Sequence, residues 1–117
     1  MKISVIGAGR VGSTAAFLLV ERELCEELVI MDVVKDKAIG EALDIKHGSS
    51  ARHRVRVVGS DDYSLTKNSD ITIITAGIPR KATESRLDLA KRNVETTRDI
   101  TRNLINYLSG MVLVVSH

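Results

Sequence analysis

The sequence predicts an α/β fold, a doubly wound parallel sheet of five strands with helices on both faces. Three observations point there. Short β-branched runs alternate with longer stretches of helical apolar spacing from Lys2 to Val115. Strands joined by helices of that length run parallel, through right-handed crossovers that pack helices on the sheet. A glycine-rich turn joins the first strand to the first helix, and no repeat, low-complexity tract or linker interrupts the alternation.

Lys2 to Ile6 is the first expected strand, Arg10 to Glu23 the first helix and Glu27 to Asp32 the second strand. Asp36 to His47 carries Ala38, Ile39, Ala42, Leu43 and Ile45 at near-helical spacing, which makes it a second crossover helix. Val55 to Val58 reads as the third strand, Asp61 to Lys67 as a short helical turn, and Asp70 to Thr75, rich in β-branched residues, as the fourth strand. Ser85 opens a long helix: Ser85-x-x-Asp88 has capping-box spacing, Ala90, Val94, Leu104 and Leu108 follow one face, and Gly110 is the expected stop. Met111 to Val115 is the fifth strand, with the composition of a strand buried on both faces.

The turn after the first strand reads Gly7-Ala8-Gly9-Arg10-Val11-Gly12. Strand, G-x-G-x-x-G and helix in that order form the dinucleotide-binding fingerprint of the Rossmann fold. Gly7 permits the tight turn, Gly9 lets a pyrophosphate approach the backbone, and Gly12 lets helix and strand pack closely. The phosphates then meet unpaired N–H groups at the helix N-terminus. Twenty residues after Gly12 the second strand delivers Asp32, a carboxylate placed for the hydroxyls of the adenosine ribose.

Composition removes other classes. The formal net charge of +2, with acids and bases interspersed, and an aromatic content of 3% give neither the electrostatic footprint nor the stacking platform of a nucleic-acid binder. No apolar stretch is long enough to cross a bilayer. Cys25 is the single cysteine, so no internal disulfide forms, and a cytoplasmic setting is expected. No metal-ligand spacing is present.

In a doubly wound sheet the ligand lies at the carboxyl ends of the strands. Thr75-Ala76-Gly77 follows strand four there, and Arg80, Lys81 and Arg86 then place three cations within seven residues. A guanidinium is suited to holding a carboxylate in two parallel hydrogen bonds at any working pH. His47 and His53 belong to or follow the second crossover helix, away from that edge.

Gly7 to Gly12, Asp32, Gly40-Glu41-Ala42-Leu43-Asp44, Thr75-Ala76-Gly77, Arg80-Lys81 and Ser85-Arg86-Leu87-Asp88-Leu89 with Asn93 together resemble the lactate/malate dehydrogenase family. The likeness spans essentially the whole chain and leans to its archaeal-type malate dehydrogenases. It implies an NAD-dependent, homo-oligomeric oxidoreductase interconverting malate and oxaloacetate, a reaction of the tricarboxylic acid cycle. It further implies that Gly7, Ala8, Gly9, Arg10, Val11 and Gly12 hold the pyrophosphate and Asp32 the ribose. Ala76, Gly77 and Asn93 lie along the cofactor, and Arg86 polarises the substrate carbonyl. Arg80 occupies the specificity position, arginine in malate enzymes and glutamine in lactate enzymes. The family usually has Pro-Gly inside the arginine loop, where this chain has Ala82-Thr83-Glu84, and Thr-Asn-Pro after strand five, where it has Ser116-His117.

The family's aspartate–histidine proton relay, the sixth strand and the substrate domain lie beyond the matched region. Residues 1–117 are therefore expected to form an incomplete dinucleotide-binding domain, inactive by itself, with strand five near a sheet edge. Two further readings stand beside the malate one: a lactate dehydrogenase of the same family, and a non-catalytic NAD-sensing module similar to the cytoplasmic regulatory domains of potassium channels.

Overall fold

The computed structural model describes residues 1–51, 53–75 and 85–115. Five strands form one sheet: β1 (Lys2–Ile6), β2 (Glu27–Met31), β3 (Arg56–Ser60), β4 (Ile71–Ile74) and β5 (Met111–Val114). Their order is β3-β2-β1-β4-β5 and every neighbouring pair is parallel. Helix α1 (Arg10–Glu21) crosses from β1 to β2, α2 (Lys35–Gly48) from β2 to β3, and α3 (Arg86–Leu104) lies between β4 and β5. A short 3-10 turn at Tyr63–Thr66 joins β3 to β4. The expected fold class is the observed one.

Successive side chains of a strand point to opposite faces, and β2 shows what that does here. Leu28 and Ile30 join Ala16, Val20, Ala38, Ala42 and Ile45 in a core beneath α1 and α2. Val29 and Met31 join Ile6, Ile74, Ile100 and Leu104 in a second core beneath α3. With both faces covered, β2 has no polar alternation in its interior. The winding reverses between β1 and β4, which opens a crevice at the carboxyl ends of those two strands.

Two boundaries differ from the sequence expectation for reasons that contacts between distant segments or main-chain bonds supply. β3 continues through Gly59 to Ser60 instead of stopping at Val58. A β-carbon on Gly59 would overlap the main chain of Ala38 and Ile39, so the glycine that lowers strand propensity is what lets α2 lie on the sheet. Helix α3 stops at Leu104, six residues before Gly110: the Leu104 carbonyl accepts from the N–H groups of both Tyr107 (2.8 Å) and Leu108 (3.1 Å), closing a turn. Gly110 instead serves the entry to β5, where a β-carbon would overlap the Asp70 carbonyl.

The inward face of α3 agrees at Leu104, with Leu108 packed beside it past the helix end, and differs in the first half. Ile100 and Leu104 are its buried residues and Leu89 and Thr96 are half-buried on the same stripe, whereas Ala90 and Val94 are exposed. β5 is the edge strand, as expected, but neither face is covered as its composition suggests: its four residues are all exposed, Met111 at 60% and Val114 at 65%.

Candidate cofactor-binding site

β1 ends in a turn that glycine alone makes without strain, since Gly7 has φ 110°. Its N–H donates to the Met31 carbonyl at 2.7 Å, which ties the turn to the end of β2. Gly9 follows in extended conformation as the N-cap of α1, and no side chain caps that helix. A β-carbon on Gly9 would meet nothing within 4 Å, so its lack of a side chain leaves open space rather than relieving a clash. Gly12 is the opposite case. A β-carbon there would overlap the Gly7 carbonyl oxygen and stand 2.7 Å from Thr75 Oγ1.

Asp32 stands at the carboxyl end of β2, half-buried. Its Oδ2 accepts from the Ala8 N–H at 2.8 Å and its Oδ1 from the Val34 N–H at 2.9 Å. The sequence places this carboxylate near the glycine turn; the structure adds that it bonds the turn directly. Val33 and Val34, immediately beyond it, are exposed. Tyr63 lies near enough for the charge of Asp32 to act on its phenol, whose pKa is raised, first by burial and second by that charge.

Thr75, just past β4, is buried against this turn. Its N–H donates to the Ile6 carbonyl at 2.9 Å, and its hydroxyl reaches the carbonyls of Ile6 at 3.1 Å and Gly7 at 3.3 Å. Thr75 is expected from sequence only as part of the Thr75-Ala76-Gly77 turn, with no role of its own, and Tyr63 is not expected at the site at all. The signal for Thr75 was its place after a β-branched strand in a parallel sheet; Tyr63 has no pattern that separates it from an ordinary half-buried aromatic.

The first residue of α3 is Arg86, which is exposed, next to Ser85, whose hydroxyl accepts from the Asp88 N–H at 3.1 Å. Asn93, two turns along α3, is half-buried. Ala76, Gly77, Arg80, Lys81 and His117 lie outside the described residues. His47, in the last turn of α2, and His53, before β3, are exposed at the amino-terminal edge of the sheet, away from Asp32. Among the described residues no three His, Cys, Asp or Glu side chains gather as metal ligands, and no helix is long and apolar enough to cross a membrane.

The amide end of an uncapped helix, an open approach over Gly9 and a carboxylate one strand away match the charges of a dinucleotide. Phosphate oxygens meet N–H donors, and ribose hydroxyls meet a carboxylate acceptor. Residues 1–117 match the family model described as the lactate/malate dehydrogenase, NAD binding domain. The chain belongs to the lactate/malate dehydrogenase family. It is 43% identical to the L-lactate dehydrogenase of Kosmotoga olearia, covering 100% of this chain and 36% of that protein. Identity is 40% to the L-lactate dehydrogenase A chain of Rhinogobiops nicholsii, over 97% of this chain and 34% of that one. Among solved structures, malate dehydrogenase from Archaeoglobus fulgidus, determined with NADH, matches with a TM-score of 0.90 and 39% identity, over 100% of this chain and 40% of that one. The chain thus spans about a third of the length of the curated relatives it matches. It is an NAD-binding domain of the Rossmann type, and its cofactor is NAD.

Proposed function

We propose that this chain is the NAD-binding half of an enzyme that interconverts malate and oxaloacetate by hydride transfer, with the substrate domain and its proton-relay residues supplied outside residues 1–117. The observation that carries the malate assignment is Arg80, six residues before Arg86, at the position where the family's malate enzymes have arginine. When bound, the nicotinamide supplies the hydride acceptor or donor. The first turn of α1 and the glycine turn hold the pyrophosphate, and Asp32 accepts from the ribose hydroxyls.

Reduction of the 2-oxo acid puts negative charge on the carbonyl oxygen, and the Arg86 guanidinium stabilises that charge more in the transition state than in the ground state. Arg80 pairs with the second carboxylate of the dicarboxylate. A monocarboxylate would leave it without a partner in a desolvated site, which penalises pyruvate and lactate.

A lactate dehydrogenase is the second reading, favoured by the names of the Kosmotoga olearia and Rhinogobiops nicholsii relatives. Oxidation of NADH by the complete enzyme, followed with oxaloacetate and with pyruvate, decides between them; faster turnover of pyruvate would establish the lactate reading. An NAD sensor without catalysis has no need of the Arg80 to Leu89 segment. A homo-oligomeric, cytoplasmic enzyme is part of the same proposal.

Asp32 sets a second expectation. Its carboxylate suits the free ribose hydroxyls of NAD and repels the added phosphate of NADP, while Lys35 and Lys37 nearby offset part of that repulsion. Titration of the protein with both cofactors is expected to give tighter binding of NAD. Tighter binding of NADP would overturn the assignment of Asp32 to the ribose.

A further inference from the structure

We infer that Thr75 is a positioning residue for the nucleotide: with Asp32 it clamps the peptide between Gly7 and Ala8 from both sides, and so holds the glycine turn in the shape that presents α1's first turn to the pyrophosphate. That peptide is the hinge of the turn. Gly7 has φ 110°, a region in which glycine has many alternatives, so the chain needs external contacts to keep one of them. The N–H side of the peptide donates to Asp32 Oδ2 at 2.8 Å. Its carbonyl side faces Thr75 Oγ1 at 3.3 Å, the same hydroxyl that reaches the Ile6 carbonyl at 3.1 Å.

The two clamps come from the strands that flank β1, one at the end of β2 and one just past β4, so they act on the turn from opposite sides. Thr75 is held in turn by its own N–H, bonded to the Ile6 carbonyl at 2.9 Å, and is only 6% exposed. The hydroxyl also fills the space over Gly12, where a β-carbon would stand 2.7 Å from Oγ1. A single buried hydroxyl therefore touches the end of β1, the turn and the first turn of α1. A methyl group in its place keeps the volume and cannot donate.

The test compares Thr75→Val and Thr75→Ser with the parent in two measurements: NADH affinity by titration, and hydrogen exchange of the Ala8 amide followed by NMR without nucleotide. Thr75→Val is expected to weaken NADH binding about tenfold and to speed Ala8 exchange by a similar factor, the loss of one buried hydrogen bond. Amides in the middle of β1 and β2 should keep their protection, and Thr75→Ser should restore both readouts to within about threefold of the parent. Should Thr75→Val fail to fold, Thr75→Ala removes the same donor without a methyl against the carbonyls. Parental NADH affinity in the hydroxyl-free variant would overturn the inference, as would Ala8 exchange that rises only in step with every core amide. Failure of the parent itself to bind NADH would sink the nucleotide assignment separately, since the Ala8 measurement contains no ligand.

Discussion

Gly12→Ala is expected to lose NADH binding by at least about a hundredfold and to destabilise the fold by roughly 1–3 kcal/mol, the usual cost of forcing extra volume into a packed site. The added β-carbon would overlap the Gly7 carbonyl oxygen and press on Thr75 Oγ1. Main chain cannot yield as the end of a flexible side chain does, so α1 must move away from β1 and carry its first-turn N–H groups with it. Gly9→Ala is the control. Its β-carbon meets nothing within 4 Å and its backbone is extended, with φ −80° and ψ −168°. Stability should stay level or rise by up to about 1 kcal/mol through the stiffer unfolded chain, while the methyl obstructs the approach of a phosphate. Thermal unfolding and NADH titration of both variants check this. Equal stability losses in the two would show that the glycines differ only in name.

Arg80→Gln, in the complete enzyme, is expected to depress turnover of oxaloacetate and raise the relative use of pyruvate. Removing a charged, two-pronged partner from the second carboxylate should change discrimination by roughly 2–5 kcal/mol, read as the ratio of kcat/KM for the two substrates. The sign follows from the pairing: glutamine fits the uncharged end of pyruvate without a stranded cation, and it offers the dicarboxylate no opposite charge. Unchanged relative rates would mean that Arg80 faces solvent and that selection lies elsewhere.

Elements whose identity depends on local pattern were legible in the sequence. The glycine turn, the run Leu28 to Met31 ending in Asp32, and the Ser85 cap all stand where spacing put them. What the sequence did not show depends on contacts between segments far apart in the chain. The third strand was ended before Gly59 and Gly110 was given as a helix stop, because nothing local tells that Ala38 and Asp70 approach these glycines. The face of α3 was placed on Ala90, Val94, Leu104 and Leu108 by apolarity; Leu104 is buried and Leu108 packs against the same core, but Ile100 takes the other inward place and Ala90 and Val94 are exposed. The place of β5 at a sheet edge was expected, whereas the exposure of all four of its residues runs against their composition, which is that of a strand covered on both faces. Within the site, Asp32 was found by its distance from Gly12, whereas its bond to Ala8 and the role of Thr75 required three strands to be brought side by side. The roles given to Arg80, Ala76 and Gly77 rest on sequence, since these residues lie outside those described.

The cradle formed by the glycine turn, the start of α1 and Asp32 is tested most directly by titrating isotopically labelled protein with NADH while following backbone amide signals. Signals of Gly9, Arg10, Val11 and Gly12, together with those of Asp32 and Val33, are predicted to move in a saturable way, while those of His47 and His53 at the opposite edge of the sheet stay in place. Saturable shifts that leave Gly9 to Gly12 untouched, or no shift at millimolar NADH, would contradict the assignment of this turn as the NAD site.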